Sequence, residues 1–119
     1  MNFLFIFVGG GLGSCCRYGV VLLCRAGDFP LFVATFLVNA LASFVLGYVL
    51  STHQSLGVDN RALLLLTTGF CGGFSTFSTF SQDNLVLLQQ NQGLLTVFNI
   101  LLNVGICLIA VALGHKLGK

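Results

Sequence analysis

Residues 69–81 read Gly69-Phe70-Cys71-Gly72-Gly73-Phe74-Ser75-Thr76-Phe77-Ser78-Thr79-Phe80-Ser81. Phe, Ser and Thr recur there with a period of three. A helix turns about 100° per residue, so Phe74, Phe77 and Phe80 drift only about 60° per step along one side. The hydroxyls of Ser75, Ser78 and Ser81 make a neighbouring row, and Thr76 and Thr79 another. Gly72-Gly73 is predicted to interrupt the helix and leave carbonyls without intrahelical partners. The flanking residues, roughly 62–88, are long and apolar enough to cross a bilayer. Irregular backbone at membrane depth persists only when it is buried in protein or lines a wet or ion-filled cavity. Broken helices that aim their ends at an ion are a transport device. The stretch therefore reads as the ion-handling centre of a membrane span.

The rest of the chain agrees. It has 119 residues, 56% hydrophobic and only 7% charged, with twelve Phe and a mean hydropathy of +1.00. A soluble domain carries about 25% charged residues, so this composition excludes one, and it excludes a disordered chain as well. The net charge of +2 is too small for a nucleic-acid footprint. Four spans are predicted, at about 3–24, 31–50, 62–88 and 94–113, forming a single four-helix transmembrane domain over residues 1–119. Asp28 and Pro30 read as the cap and first-turn residues of the second helix. Residues 51–61 and 89–93 read as polar connections. Leu12-Gly13-Ser14-Cys15 looks like a lipoprotein cleavage box. No Lys or Arg precedes it, and three more spans follow, so residues 3–24 stay a span.

Orientation follows from Lys and Arg outside the spans. Arg61, Lys116 and Lys119 share one side, while Arg25 and a snorkelling Arg17 take the other. Three against two favours termini inside and leaves insertion in both directions open. Antiparallel pairing of two copies is then available.

Polar groups inside the spans carry the functional information. Asn39, Ser43 and Gly47 form one stripe along the second helix, and Asn99 and Asn103 form another on the fourth, with Cys107 one turn further. Interhelical hydrogen bonding alone would account for such stripes. Gly9-x-x-x-Gly13 and Gly69-x-x-x-Gly73 are packing signals of the same kind. The five Cys, with no metal-ligand spacing, read as small packing residues, and His53 and His115 as solvent-side residues. Apart from Asp83 near one end, the interiors of helices two to four lack charged residues. The lining on offer is amide and hydroxyl donors and the electropositive edges of Phe rings, which suit a small hard anion. Free carbonyls at Gly72 to Ser75 suit a small cation instead.

At these residues the sequence resembles the bacterial fluoride channel family called Fluc or CrcB. Gly9 to Gly13 with Arg17-Tyr18, Thr35 to Asn39 with Ser43-Phe44 and Gly47, and above all Gly69 to Phe80 carry the likeness, which covers nearly the whole chain. Ala34 and Ala42 stand where glycine is common, and Ser75 replaces a frequent threonine. The resemblance implies a passive fluoride-selective channel in a bacterial plasma (inner) membrane. It would be built from two four-helix subunits in antiparallel, dual-topology orientation, with two pores. It implies Phe77 and Phe80 as pore phenylalanines, Asn39 as the amide that contacts fluoride, and Ser78 and Thr79 as hydroxyls further along. It also implies Arg17 near a vestibule, and carbonyls of Gly72 and Ser75 around a structural sodium ion at the dimer centre. Asn103 is the chosen pore residue on helix four.

Two rival readings remain to be weighed. A small multidrug exporter needs a carboxylate in its first span, and residues 3–24 contain neither Asp nor Glu. A noncatalytic assembly subunit would use its polar stripes only as glue. An enzyme lacks any nucleophile–base pair or metal cluster here.

Overall fold

The computed structural model describes residues 1–57 and 59–119. Helix α1 spans Asn2–Ala26 and α2 spans Leu31–Leu56. Helix α3 begins at Asn60–Leu64, widens into a π-helix over Leu65–Cys71 and closes as a last α turn over Gly72–Phe74. Helix α4 covers Phe77–Gln89 and α5 covers Gly93–Leu117. Together α3 and α4 make one interrupted span of 30 residues, so four spans are long and apolar enough to cross a membrane.

The ends are set by local chemistry. After α1, Asp28 takes a left-handed φ of 56° and the Phe29 N–H returns to the Cys24 carbonyl. Pro30 precedes α2 as its cap residue with φ −56°, pre-set for the helix start. Asp28 is thus a turn residue rather than a cap. Helix α2 runs six residues beyond the predicted end at 50, because Gly57 closes it with φ 63° and an N–H bond to the His53 carbonyl. The predicted 51–61 connection therefore shrinks to residues 57–59, of which 58 lies outside the described residues. His53 is in the last turn of α2, half-buried and engaged, and not in a loop. His115 is likewise half-buried, in the last turn of α5.

Two seams assemble the bundle. A Cβ on Gly47 would sit on the Val111 carbonyl oxygen, and one on Gly114 on that of Phe44, so α2 and α5 touch backbone to backbone. Gly9 and Gly13 of α1 press in the same way on the backbone around Gly69 and Gly73 of α3. The two glycine motifs read from sequence thus meet each other. Between the seams lies a small core of Val38, Ala42, Cys71 and Phe74, with Phe70 stacked on Phe74 at 5.5 Å.

The outside is apolar. Phe3, Leu23, Leu94 and Leu101 are exposed by 87%, 74%, 87% and 68%. In water such a surface would aggregate, whereas in a bilayer it is ordinary. The long dimension is 49 Å, matching a membrane with its headgroups at about 40–45 Å. The chain is a multi-pass membrane protein.

Candidate functional site

The span is cut at Ser75 and Thr76, both extended, with φ, ψ of −75°, 160° and −155°, 119°. Sequence placed the interruption at Gly72-Gly73, three residues too early. Both glycines are helical, and Gly73 serves to bring α3 against the Gly10 backbone. The last helical bond runs from the Ser75 N–H to the Cys71 carbonyl at 2.9 Å, and the Ser75 hydroxyl donates to the same oxygen at 2.7 Å. What breaks the helix is the pair of replacement hydrogen bonds that follows. The Thr76 N–H leaves the helix and donates to Asn39 Oδ1 at 2.8 Å. Asn39 Nδ2 returns a bond to the Thr76 carbonyl at 3.2 Å. One half-buried amide side chain thereby pairs with both backbone groups of one residue, as a neighbouring strand would.

The chain restarts at once. Thr76 Oγ1 accepts from the Thr79 N–H at 3.2 Å and lies 3.1 Å from Ser78 Oγ and 3.1 Å from Thr79 Oγ1. This is an N-cap, and it places the positive end of α4 at mid-span. The interruption splits the predicted Phe stripe. Phe74 stays in the core with Phe70, while Phe77 and Phe80 begin the second half, their rings 5.6 Å apart and tilted by 45°.

Beside the break lies a cavity of about 420 Å³. Its polar lining comes from Asn39, Ser43, Ser75, Thr76 and Asn103, its aromatic lining from Phe77 and Phe80. Among the described residues no charged side chain lines it. Asn103 is 4% exposed; its Oδ1 accepts from Asn39 Nδ2 at 3.4 Å and lies 3.8 Å from the Cys107 thiol. Its Nδ2 has no partner, the one such buried side-chain atom among the described residues. A buried donor without a partner costs about 1–3 kcal/mol and calls for an occupant.

The family described as CrcB-like protein, Camphor Resistance (CrcB), matches residues 4–115. This chain belongs to the CrcB family. It is 42% identical over 118 residues to the "Fluoride-specific ion channel FluC" of Pyrococcus abyssi, covering 98% of this chain and 94% of that one. Against the protein of the same name from Ignicoccus hospitalis the identity is 39% over 117 residues, again covering 98% and 94%. Against "Fluoride-specific ion channel FluC 2" of Bacillus subtilis it is 40% over 116 residues, covering 94% and 86%.

In this CrcB chain the predicted residues fall into three places. Asn39, Phe77, Phe80 and Asn103 meet in the main cavity. Thr79 lines a second cavity of about 190 Å³ with Arg17, Ser14 and Thr35, and the exposed Ser78 stays tied to the cap of α4. Gly72 and Ser75 line a third, of about 210 Å³, beside Thr67 and Cys71. Arg17 Nη1 donates to the Ser75 carbonyl at 3.3 Å, so this guanidinium lies at the break itself.

Several partners escaped the sequence reading. Asn99 Nδ2 donates to Asn84 Oδ1 at 3.0 Å, and Asn84 Nδ2 caps the Phe80 carbonyl at 2.8 Å, pinning α4 against α5. Thr35 donates to Asp83 at 2.6 Å, holding the other side of α4 against α2. Ser14 donates to the Gly73 carbonyl at 3.4 Å. Thr35 lies one turn before Asn39 and extends that stripe, a signal that was present. Nothing in the sequence pairs Asn84 with Asn99.

Proposed function

We propose that this chain forms a passive, fluoride-selective channel that exports fluoride across the plasma (inner) membrane and so confers fluoride resistance. The observation that carries the reading is the main cavity. It is walled by two Phe rings and neutral amides, one of which, Asn103, keeps a buried N–H donor without a partner, and it adjoins the positive end of α4. Donors and ring edges replace part of an anion's hydration shell, and the lack of a full charge lets the ion leave again. The names of the relatives point the same way. Ser78 and Thr79 supply hydroxyls further along the path. Arg17 sits by the second cavity, where positive charge concentrates anions.

Weak-acid chemistry supplies the purpose. Hydrogen fluoride crosses membranes neutral, dissociates at the higher internal pH and leaves the anion trapped. An inside-negative potential then drives the anion out, at about 2.3 kcal/mol per charge per 100 mV. The path needs no coupling carboxylate.

The working unit in this reading is an antiparallel dimer of identical chains with two pores. Phe77 is 77% exposed in the single chain, and the polar residues Ser78 and Thr79 beside it are exposed at mid-span. Polar groups at that depth need a protein partner rather than lipid. The carbonyls of Gly72 and Ser75 fit a structural sodium ion at the dimer centre. The Thr76 N–H that would bond Gly72 goes to Asn39, and the Thr79 N–H that would bond Ser75 goes to Thr76 Oγ1. Two carbonyl oxygens released from the helix ladder are hard ligands of the kind such a cation takes, although that of Ser75 also accepts from Arg17 Nη1 at 3.3 Å, a bond the ion would have to share or displace.

The test is release of fluoride from liposomes holding this chain alone, followed with a fluoride electrode while valinomycin carries potassium. Fast fluoride release with chloride retained is expected, and silence from folded protein would reject the reading. A C-terminal tag should be cleavable from both faces of the membrane, half at a time. Tags on one face only would reject the antiparallel pair.

A further inference from the structure

Helix α4 is held differently from its neighbours. It contains no glycine, and among the described residues none of the backbone-to-backbone seams reaches it. Its stretch Leu85-Val86-Leu87-Leu88 is apolar on every side. Lipid tails are as apolar as leucine, so burial alone does not choose which of these faces turns inward. Polar ties make the choice. Asp83 and Asn84 point about 100° apart on the helix and bind different neighbours. Asp83 accepts from Thr35 of α2, and Asn84 from Asn99 of α5. Two attachments in different directions fix the rotation of α4 about its own axis, whereas one leaves it free to swing.

The Asn pair has a single sense. Asn84 Nδ2 lies 2.8 Å from the Phe80 carbonyl, which can only accept, so the NH2 end is committed to its own helix. Asn84 Oδ1 then faces α5 and takes the Asn99 N–H at 3.0 Å. Both amides and Phe80 are buried. One turn along each helix from this bond, Phe80 of α4 and Asn103 of α5 line the main cavity.

We propose that Asn84 and Asn99 are positioning residues whose bond sets the rotation of α4 and so aims the Phe80 ring at the cavity. A buried amide pair between apolar helices is a register device more than a source of stability. The inference rests on the fluoride-channel reading and names what aims its inner Phe.

The test separates aim from stability. Asn99→Leu strips the Asn84 oxygen of its donor, and both the melting temperature in detergent and the release rate from liposomes should fall. In Asn84→Leu/Asn99→Leu two apolar side chains face each other, and melting should return to the wild-type value or exceed it. The release rate should stay at least about threefold down, the bias that one side-chain hydrogen bond exerts inside a membrane. A double variant that conducts at the wild-type rate would show the pair to be glue, and that overturns the proposal. Thr96→Val is the control, a buried residue of α5 whose hydroxyl is spent on the Gln92 carbonyl of its own helix, and it should keep the rate. A loss there as large as in the double variant would assign the effect to packing and overturn the proposal too.

The second measurement needs no flux. With Phe80 replaced by 4-fluorophenylalanine, the protein in micelles should give one sharp ¹⁹F signal. The double Leu variant should broaden or split it, as the ring samples more than one setting. One sharp, unshifted signal in both overturns the proposal. Asn99→Ser carries the same expectation should the double variant not fold. Wild-type protein that releases no fluoride would reject the channel reading, whereas the ¹⁹F spectra decide the role of the pair regardless.

Discussion

Phe80→Ile is expected to abolish fluoride release while the protein still folds and pairs. Phe80 is 8% exposed, lines the main cavity and stands 5.6 Å from the Phe77 ring. Isoleucine fills much of the same space, so the cost stays below the about 3–5 kcal/mol of truncating a buried Phe to alanine. What it lacks is the aromatic quadrupole, whose positive edge is the only partner Phe80 can offer an anion. The Phe80 carbonyl is held by Asn84 whatever the side chain, so the backbone of α4 should stay in place. The measurement is the initial rate of release beside size-exclusion chromatography of the same preparation. A monodisperse variant that conducts at the wild-type rate would remove Phe80 from the pathway. It would also leave the cavity without an aromatic function.

The second large effect is on assembly. Gly114→Val should yield little folded protein. Its Cβ would sit on the Phe44 carbonyl oxygen and 2.9 Å from the Tyr48 nitrogen, both backbone atoms that no rotamer change can move. Relief requires α2 and α5 to part. Overpacking of flexible side chains already costs about 1–3 kcal/mol, and a clash of two backbones exceeds that. Parting that seam also stretches the Asn39–Asn103 bond, which at 3.4 Å has no slack. Gly105 is the internal control, a helical glycine of α5 with open space around its missing Cβ. Gly105→Ala should melt with the wild type, and Gly114→Ala well below it, when thermal unfolding is followed in detergent. Equal melting of the two alanine variants would show that the seam is not close-packed.

Much of this protein is legible residue by residue. Seven per cent charge and four apolar runs admit only a membrane bundle, because lipid imposes one requirement on every span. Gly9-x-x-x-Gly13 and Gly69-x-x-x-Gly73 announce close approach, and the Asn39 and Asn103 stripes announce buried polarity. Each of these signals is local, a composition or a spacing along one helix.

The tertiary structure decided the rest. The break falls at Ser75–Thr76 because Asn39, 37 residues away in the chain, supplies the bonds that the helix gives up there. Gly72 and Gly73, flexible as isolated residues, stay helical because no comparable partner competes for them. The same lock separates Phe74 from Phe77 and Phe80, which a period of three had placed in one stripe. Thr35 with Asp83, and Asn84 with Asn99, likewise become visible only when two helices are brought together. Periodicity reports which face a residue takes. It does not report which hydrogen-bonding partner stands opposite, and within a membrane that partner determines where a helix ends and which way an amide turns.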